Sequence, residues 1–391
     1  MTARGFEGAE YRHRLARAQA LMAEAGLDAL LLTTEPEIRY FTGFLSRFWE
    51  SPTRPWFLVV PAAGAPVAVI PSIGAALMGQ SWIADIRTWR SPDPEDDGLS
   101  LLAATLSEQA GRRGRIGTPM GPETHLRMPL AGFEALKARL APAEIVEDAG
   151  ILRRLRLVKS EAEIAKIAEA CAIAGRAFAR VPEIAAAGTP LARVFQDFQR
   201  LALEEGADWV PYLAGAAAEG GYADVISPAT DTPLAPGDVL MLDTGAVWDG
   251  YFCDFDRNFS VGPPAPAIAA AHARLVEATE AAFAIARPGA TAADLFHAMH
   301  AVAGGGAAAE AGRLGHGLGM QLTEWPSLIP GDHTPLVPGM VLTLEPSIEV
   351  APSAQRGCLL VHEEDIVIRE TGAEYLTRPA DPVLPFLETR R

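Results

Sequence analysis

The apolar positions of this chain change period along its length. Residues 9–26 follow the 3.6-residue repeat of an amphipathic helix and stop at Gly26. Short apolar runs at 29–33, 57–60 and 67–70 then predict strands. Helices are expected between them, so the first 150 residues predict an α/β unit. The longest apolar stretch, 57–78, is interrupted by Pro61, Gly64, Pro66, Pro71 and Gly74, which suits strands and turns and not a membrane span. A boundary falls near Arg153-Arg-Leu-Arg156, giving expected domains of 1–152 and 153–391. Just beyond it Ser160 and Glu163 have capping-box spacing. They open a long helix with the stripe Ile164, Ile167, Cys171, Ala174 and Phe178.

In the second domain one ten-residue pattern occurs twice. Leu234-Ala-Pro-Gly-Asp-Val-Leu-Met-Leu-Asp243 and Leu336-Val-Pro-Gly-Met-Val-Leu-Thr-Leu-Glu345 both read Leu-x-Pro-Gly-x-Val-Leu-x-Leu-acid. Pro-Gly predicts a turn, and the run after it a buried strand. A buried strand that ends on a carboxylate needs a partner for the charge. Duplicated strands would bring Asp243 and Glu345 together across a pseudo-twofold axis, where a metal ion suits them. Asp254 follows, and Gly245 and Gly250 allow a hairpin that returns it to Asp243. His316 is flanked by glycines in Gly315-His-Gly-Leu-Gly319, and Glu364 opens the apolar strand 364–368. One imidazole and four carboxylates suit two bridged divalent ions such as Mn, Co, Fe or Zn, and do not suit a Cys-type zinc site.

A net charge of −16 argues against nucleic acid or an anionic membrane as partner. Cys171, Cys253 and Cys358 have neither disulfide nor zinc spacing, which fits a reducing compartment. The N-terminal segment lacks the apolar core of a signal peptide, so a cytoplasmic protein is expected. Residues 303–309 read as a helix end and loop without chemistry, and 381–391 as a short tail or edge segment.

These features resemble the creatinase/prolidase branch of the M24 metallopeptidases. Residues 36–44, Pro-Glu-Ile-Arg-Tyr-Phe-Thr-Gly-Phe, are similar to that family's N-terminal domain, and Arg156-Leu-Val-Lys-Ser160 to its interdomain segment. Asp243, Asp254, His316, Glu345 and Glu364 fall in order on its five metal-ligand positions. The resemblance implies an α/β creatinase-like N-terminal domain and an α+β pita-bread catalytic domain with an internal pseudo-twofold duplication. It implies a homodimer that hydrolyses an amide bond in a small polar or peptide-like substrate, Xaa-Pro peptides being the family default. A hydroxide bridging two metals would attack, with His316, Glu345 and Glu364 at the catalytic centre and Glu345 moving the proton.

Two positions depart from the family. Ile226 stands where a His normally precedes the first Asp ligand by seventeen residues, and Thr323 where a His follows the His ligand by seven. Both imidazoles would support the scissile carbonyl, a role worth ~2.7–4 kcal/mol per donor. Weak cleavage of Xaa-Pro dipeptides and a more specialised substrate are therefore expected. Ectoine-type hydrolysis, elimination of the dimethylsulfoniopropionate-lyase type and a silent binding module are the alternatives. Arg257 is expected to hydrogen-bond a ligand carboxylate, with Asp256 a solvated or paired acid. His362, on the strand face of Glu364, is a candidate substrate contact. Arg47 and Trp49, in an aromatic loop after an expected Tyr-Phe-Thr-Gly strand, are candidates for specificity or dimer contacts. His297 and His300 belong to an ordinary amphipathic helix.

Overall fold

Four wholly buried residues, β1 (Ala29–Leu32), lie at the heart of the first sheet. The structure, a computed structural model, describes residues 2–51, 54–304, 312–350 and 358–388. It divides into two units, one of residues 3–156 and one of 157–391 together with the first two residues. In the first unit β1 joins β2 (Phe57–Pro61), β3 (Val67–Pro71), β4 (Asp85–Trp89), β5 (Arg115–Thr118) and β6 (Glu144–Glu147) in the order β4-β3-β2-β1-β5-β6. β1, β2 and β3 are buried along their whole length, which is why they read as unbroken apolar runs. Helices were expected between all these strands. In fact β2 and β3 are antiparallel neighbours, joined through a turn at Gly64.

The expected strand near Tyr40 is a helix, Glu35–Thr42. Its cap decides this: Thr34 and Glu37 form a capping box, Pro36 sits in the first turn, and Gly43 ends it at φ 75°. Beyond it Ser46 caps a 3₁₀ turn, Arg47–Glu50. Trp49 packs on Phe44 and Trp56, with the Arg127 guanidinium 5.0 Å from its ring centre. Arg47 is exposed and pairs with Glu50. Within this unit Trp49 is thus a packing residue of its own loop.

The second unit opens with helix Glu161–Ala179, capped by Ser160 and Glu163 as expected. Its strands are β7 (Trp209–Glu219), β8 (Asp238–Trp248), β9 (Tyr251–Phe252), β10 (Phe255–Val261), β11 (His316–Gly317), β12 (Glu324–Ser327), β13 (Val341–Leu344), β14 (Ser347–Val350), β15 (Cys358–Val361), β16 (Glu364–Ile368), β17 (Ala373–Tyr375) and β18 (Phe386–Leu387). One sheet runs β18-β10-β8-β7, with β9 paired to β8. Another runs β12-β11-β13-β16-β17, and β14 and β15 form a separate ribbon. The duplicated segments are β8 and β13, each lying antiparallel to a later strand, β10 and β16. Helices Pro266–Ile285 and Ala292–Ala303 supply Ala278, Ala282, Leu295 and Met299 to a core shared with Leu342, Leu344, Ile366 and Ile368.

The hairpin after Asp243 turns at Asp249 and Gly250, both at positive φ, 48° and 78°. Gly245 lies inside β8, opposite Tyr212, and takes no part in the turn. The C-terminal segment includes an edge strand, β18, parallel to β10. Of the run 303–309, residues 305–309 lie outside the described residues. Among the described residues no helix is long and apolar enough to cross a membrane.

Candidate metal centre

The repeated strands bring their acids to one place. Asp243 lies mid-way along β8, and Glu345 immediately follows β13. Ligand atoms of Asp254, His316 and Glu345 all lie within 4.8 Å of one another, as do those of Asp243, Asp254 and Glu363. Asp254 belongs to both groups, so the two clusters are continuous.

Each side chain is held by local structure. Gly315 adopts φ 143°, and a Cβ there would collide with the Thr343 carbonyl. The backbone of His316 therefore lies against β13, where its N–H donates to Thr343 Oγ1 at 3.0 Å. Its Nδ1 is 2.9 Å from the Gly317 carbonyl. That contact places the proton on Nδ1 and turns Nε2 toward Glu345 Oε1 at 3.0 Å and Asp254 Oδ2 at 3.3 Å. The Thr343 hydroxyl donates to Glu345 in a short contact. Tyr212, on β7, donates its phenol to Asp243 Oδ2 at 2.8 Å. The Asp254 N–H is accepted by Asp365 Oδ2, which also takes the Cys171 thiol.

Burial sets the electrostatics. It pushes the Asp243 carboxyl up to about 7, with Glu345 adding to the rise, and pushes Asp254 and Glu363 well above the carboxylate range among neighbouring acids. Burial would raise Glu345 as well, but His316 facing it and the Thr343 hydroxyl bring it down to about 2. The His316 imidazole is pushed up: burial opposes its charge, and Glu345 and Asp254 outweigh that. Four carboxylates thus face one imidazole, and Asp243 Oδ1 is buried without a partner among the described residues. Such a set is costly without a further cation. An Nε2 aimed at the acids while Nδ1 bonds a backbone carbonyl is also how a ligating imidazole is oriented. The donor set fits divalent metal.

Glu364 is not part of it. Its carboxylate accepts from Arg257 Nη2 at 3.0 Å, from the Ala380 N–H at 2.8 Å and from the Thr377 hydroxyl, with His362 Nε2 at 3.4 Å. Burial would raise this carboxyl, but Arg257 and His362 hold it down at about 2. Glu364, expected as a ligand, is turned away from the acid cluster by strand alternation. Glu364 lies opposite Leu344, and continuing that register sets Glu363 opposite Glu345. The residue overlooked was Glu363, and the signal was the period of two itself. Tyr212 was overlooked too, and no sequence motif marks it.

The remaining candidates fall as follows. Arg257 bonds Glu364 and the Glu363 carbonyl, so it braces the strand beside the cluster. Asp256, expected to be a solvated or paired acid, is fully buried and accepts from the Glu363 N–H. His362 is buried between Asp256 and Glu364 and is not a surface residue. Ile226 does not wall a buried cleft: its side chain is 78% exposed on a loop closed by Asp224. Thr323 receives Arg313 Nη2 at 3.4 Å.

Comparison with known proteins agrees with this geometry. The model of metallopeptidase family M24 matches residues 165–370, and that of the creatinase/prolidase N-terminal domain matches residues 14–158. A probable dipeptidase PepE of Mycobacterium tuberculosis is 33% identical over 378 residues, 95% of this chain and 96% of the relative. An Xaa-Pro dipeptidase of Pyrococcus furiosus is 30% identical over 374 residues, 94% of this chain and 98% of the relative. The crystal structure of dipeptidase PepE from Mycobacterium ulcerans superposes with a TM-score of 0.81 at 30% identity, covering 98% of this chain and 99% of that one. The chain belongs to metallopeptidase family M24, with a creatinase-type N-terminal domain before a pita-bread catalytic domain. It is a metal-dependent hydrolase; neither the lyase nor the silent binding module is favoured.

Proposed function

We propose that this protein is a dipeptidase whose centre holds two divalent ions, Mn, Co, Fe or Zn, on Asp243, Asp254, His316, Glu345 and Glu363. One observation carries the reading: these five side chains, from separate segments, meet with an excess of buried negative charge. The relatives named as dipeptidases support a short peptide as substrate, with Xaa-Pro dipeptides as one class.

When bound, the ions supply Lewis-acid polarisation of the carbonyl and acidify a water. The chain supplies the rest. Glu345 is only partly buried and is ionised at neutral pH, so it can accept the proton of the attacking water and return it to the leaving nitrogen. Thr343 and His316 fix its carboxylate for that transfer. Tyr212 orients Asp243, and the Gly317 carbonyl orients His316. Arg257 and Glu364 hold the strand that presents Glu363.

The test is a screen of dipeptides, Xaa-Pro members included, with the purified protein loaded with each metal in turn. Turnover that needs metal, with two equivalents bound per chain, is expected. A fully loaded protein that cleaves no dipeptide would overturn the proposal.

A further inference from the structure

The centre is strongly acidic, and the cations around it are mostly committed. Arg257 serves Glu364 and the carbonyls of Glu363 and Arg378. Lys159 Nζ lies 3.1 Å from Glu324, with both side chains buried. Lys166 pairs with Asp249. Arg313 differs. Among the described residues its side chain has a single hydrogen-bond partner, Thr323 Oγ1, at 3.4 Å, near the outer limit for such a bond. A guanidinium has five donors, and a half-buried one with a single long bond leaves most of them unmet.

Its position is fixed beside the reaction centre. The Glu345 N–H donates to the carbonyl of Leu314, the residue after Arg313, at 3.0 Å. His316 follows three residues after Arg313, and its strand pairs with β12, next to Thr323. The Arg313 guanidinium thus reaches the residue just before β12.

A dipeptide carries its own anion close to the bond that breaks. The carboxylate carbon lies only two bonds beyond the scissile nitrogen. An acidic cleft would repel that anion unless one cation near the centre is left to receive it, and a guanidinium can receive it with two parallel hydrogen bonds. We propose that Arg313 is a specificity-determining residue that binds the C-terminal carboxylate of a dipeptide, with Thr323 holding the guanidinium in the cleft. The proposal rests on the dipeptidase reading and goes beyond it by naming what makes short peptides the substrates.

The experiment compares one good dipeptide with its C-terminal amide on the metal-loaded enzyme, for wild type, Arg313→Gln, Arg313→Lys and Thr323→Val. The wild type should prefer the free acid roughly ten- to hundredfold in kcat/KM. Arg313→Gln should erase that preference by raising KM for the free acid, with metal content at the wild-type level. Arg313→Lys should keep part of it, and Thr323→Val should weaken it. Equal losses on acid and amide in Arg313→Gln, or an unchanged ratio, would overturn the proposal. A wild type inactive on every dipeptide would instead overturn the dipeptidase reading. In that event calorimetry decides: wild type, but not Arg313→Gln, should bind a free amino acid more tightly than its amide, and equal binding counts against Arg313.

Discussion

Glu363 and Glu364 are adjacent in sequence, yet their carboxylates serve different partners across one strand. Glu363 joins Asp243 and Asp254, whereas Glu364 is occupied by Arg257, Thr377 and the Ala380 N–H. A pair of isosteric substitutions separates their roles. Glu363→Gln should lose bound metal in equilibrium dialysis while the fold persists. Glu364→Gln should keep near-stoichiometric metal but unfold more easily, by roughly 3 kcal/mol, because it leaves a buried guanidinium without its carboxylate. The opposite pattern, with metal lost only in Glu364→Gln, would restore Glu364 as the ligand.

Tyr212 touches the centre through Asp243 Oδ2. Tyr212→Phe removes one hydroxyl and keeps the ring. Metal affinity should fall about 10- to 100-fold, the usual loss for a group that orients a ligand. Competition with a chelator measures this, and an affinity within twofold of wild type would show the phenol to be dispensable.

Removing the metal should cost stability, because the acids then face one another with a single imidazole between them. Metal at a hundredfold excess over its Kd adds ~2.7 kcal/mol to folding. For a domain of this size that is a rise in Tm of roughly 5–10 °C over the chelator-treated protein. Calorimetry with and without chelator checks it; identical Tm values would mean that the site does not load.

His272 gives a pH dependence outside the centre. Burial lowers its pKa from an ordinary 6.5 to about 4, with the Asp381 carbonyl opposing the fall and His362 and Arg257 adding to it. Between those values the unfolded chain binds a proton that the folded chain refuses. The contribution to stability is therefore full above pH 6.5 and shrinks as pH falls, by roughly 2 kcal/mol at pH 5. His272→Gln should remove this part of the acid sensitivity. Denaturation of both proteins at pH 7.5 and 5 reads the difference, and equal losses in the two would refute it.

Four of the five residues proposed to hold the metals were legible in the chain. Asp243 and Glu345 were marked by the repeated Pro-Gly strands, His316 by its glycines, and Asp254 by the hairpin that returns it to Asp243. The two-unit architecture and the helix capped by Ser160 and Glu163 were legible as well, because caps, turns and apolar runs are local and act through neighbouring backbone. Local cues also misled: the segment at Tyr40 read as a strand, although the cap at Thr34 and Glu37 makes it a helix. What only the tertiary structure decided depends on contacts between distant strands. The register of β13 against β16 sends Glu363 to the acids and Glu364 to Arg257, and a shift of one residue would exchange them. Tyr212 reaches Asp243 only because β7 lies beside β8, and Arg313 meets Thr323 only because their two segments are brought side by side. Such pairings are set by which faces bury together, and no window of local sequence contains them.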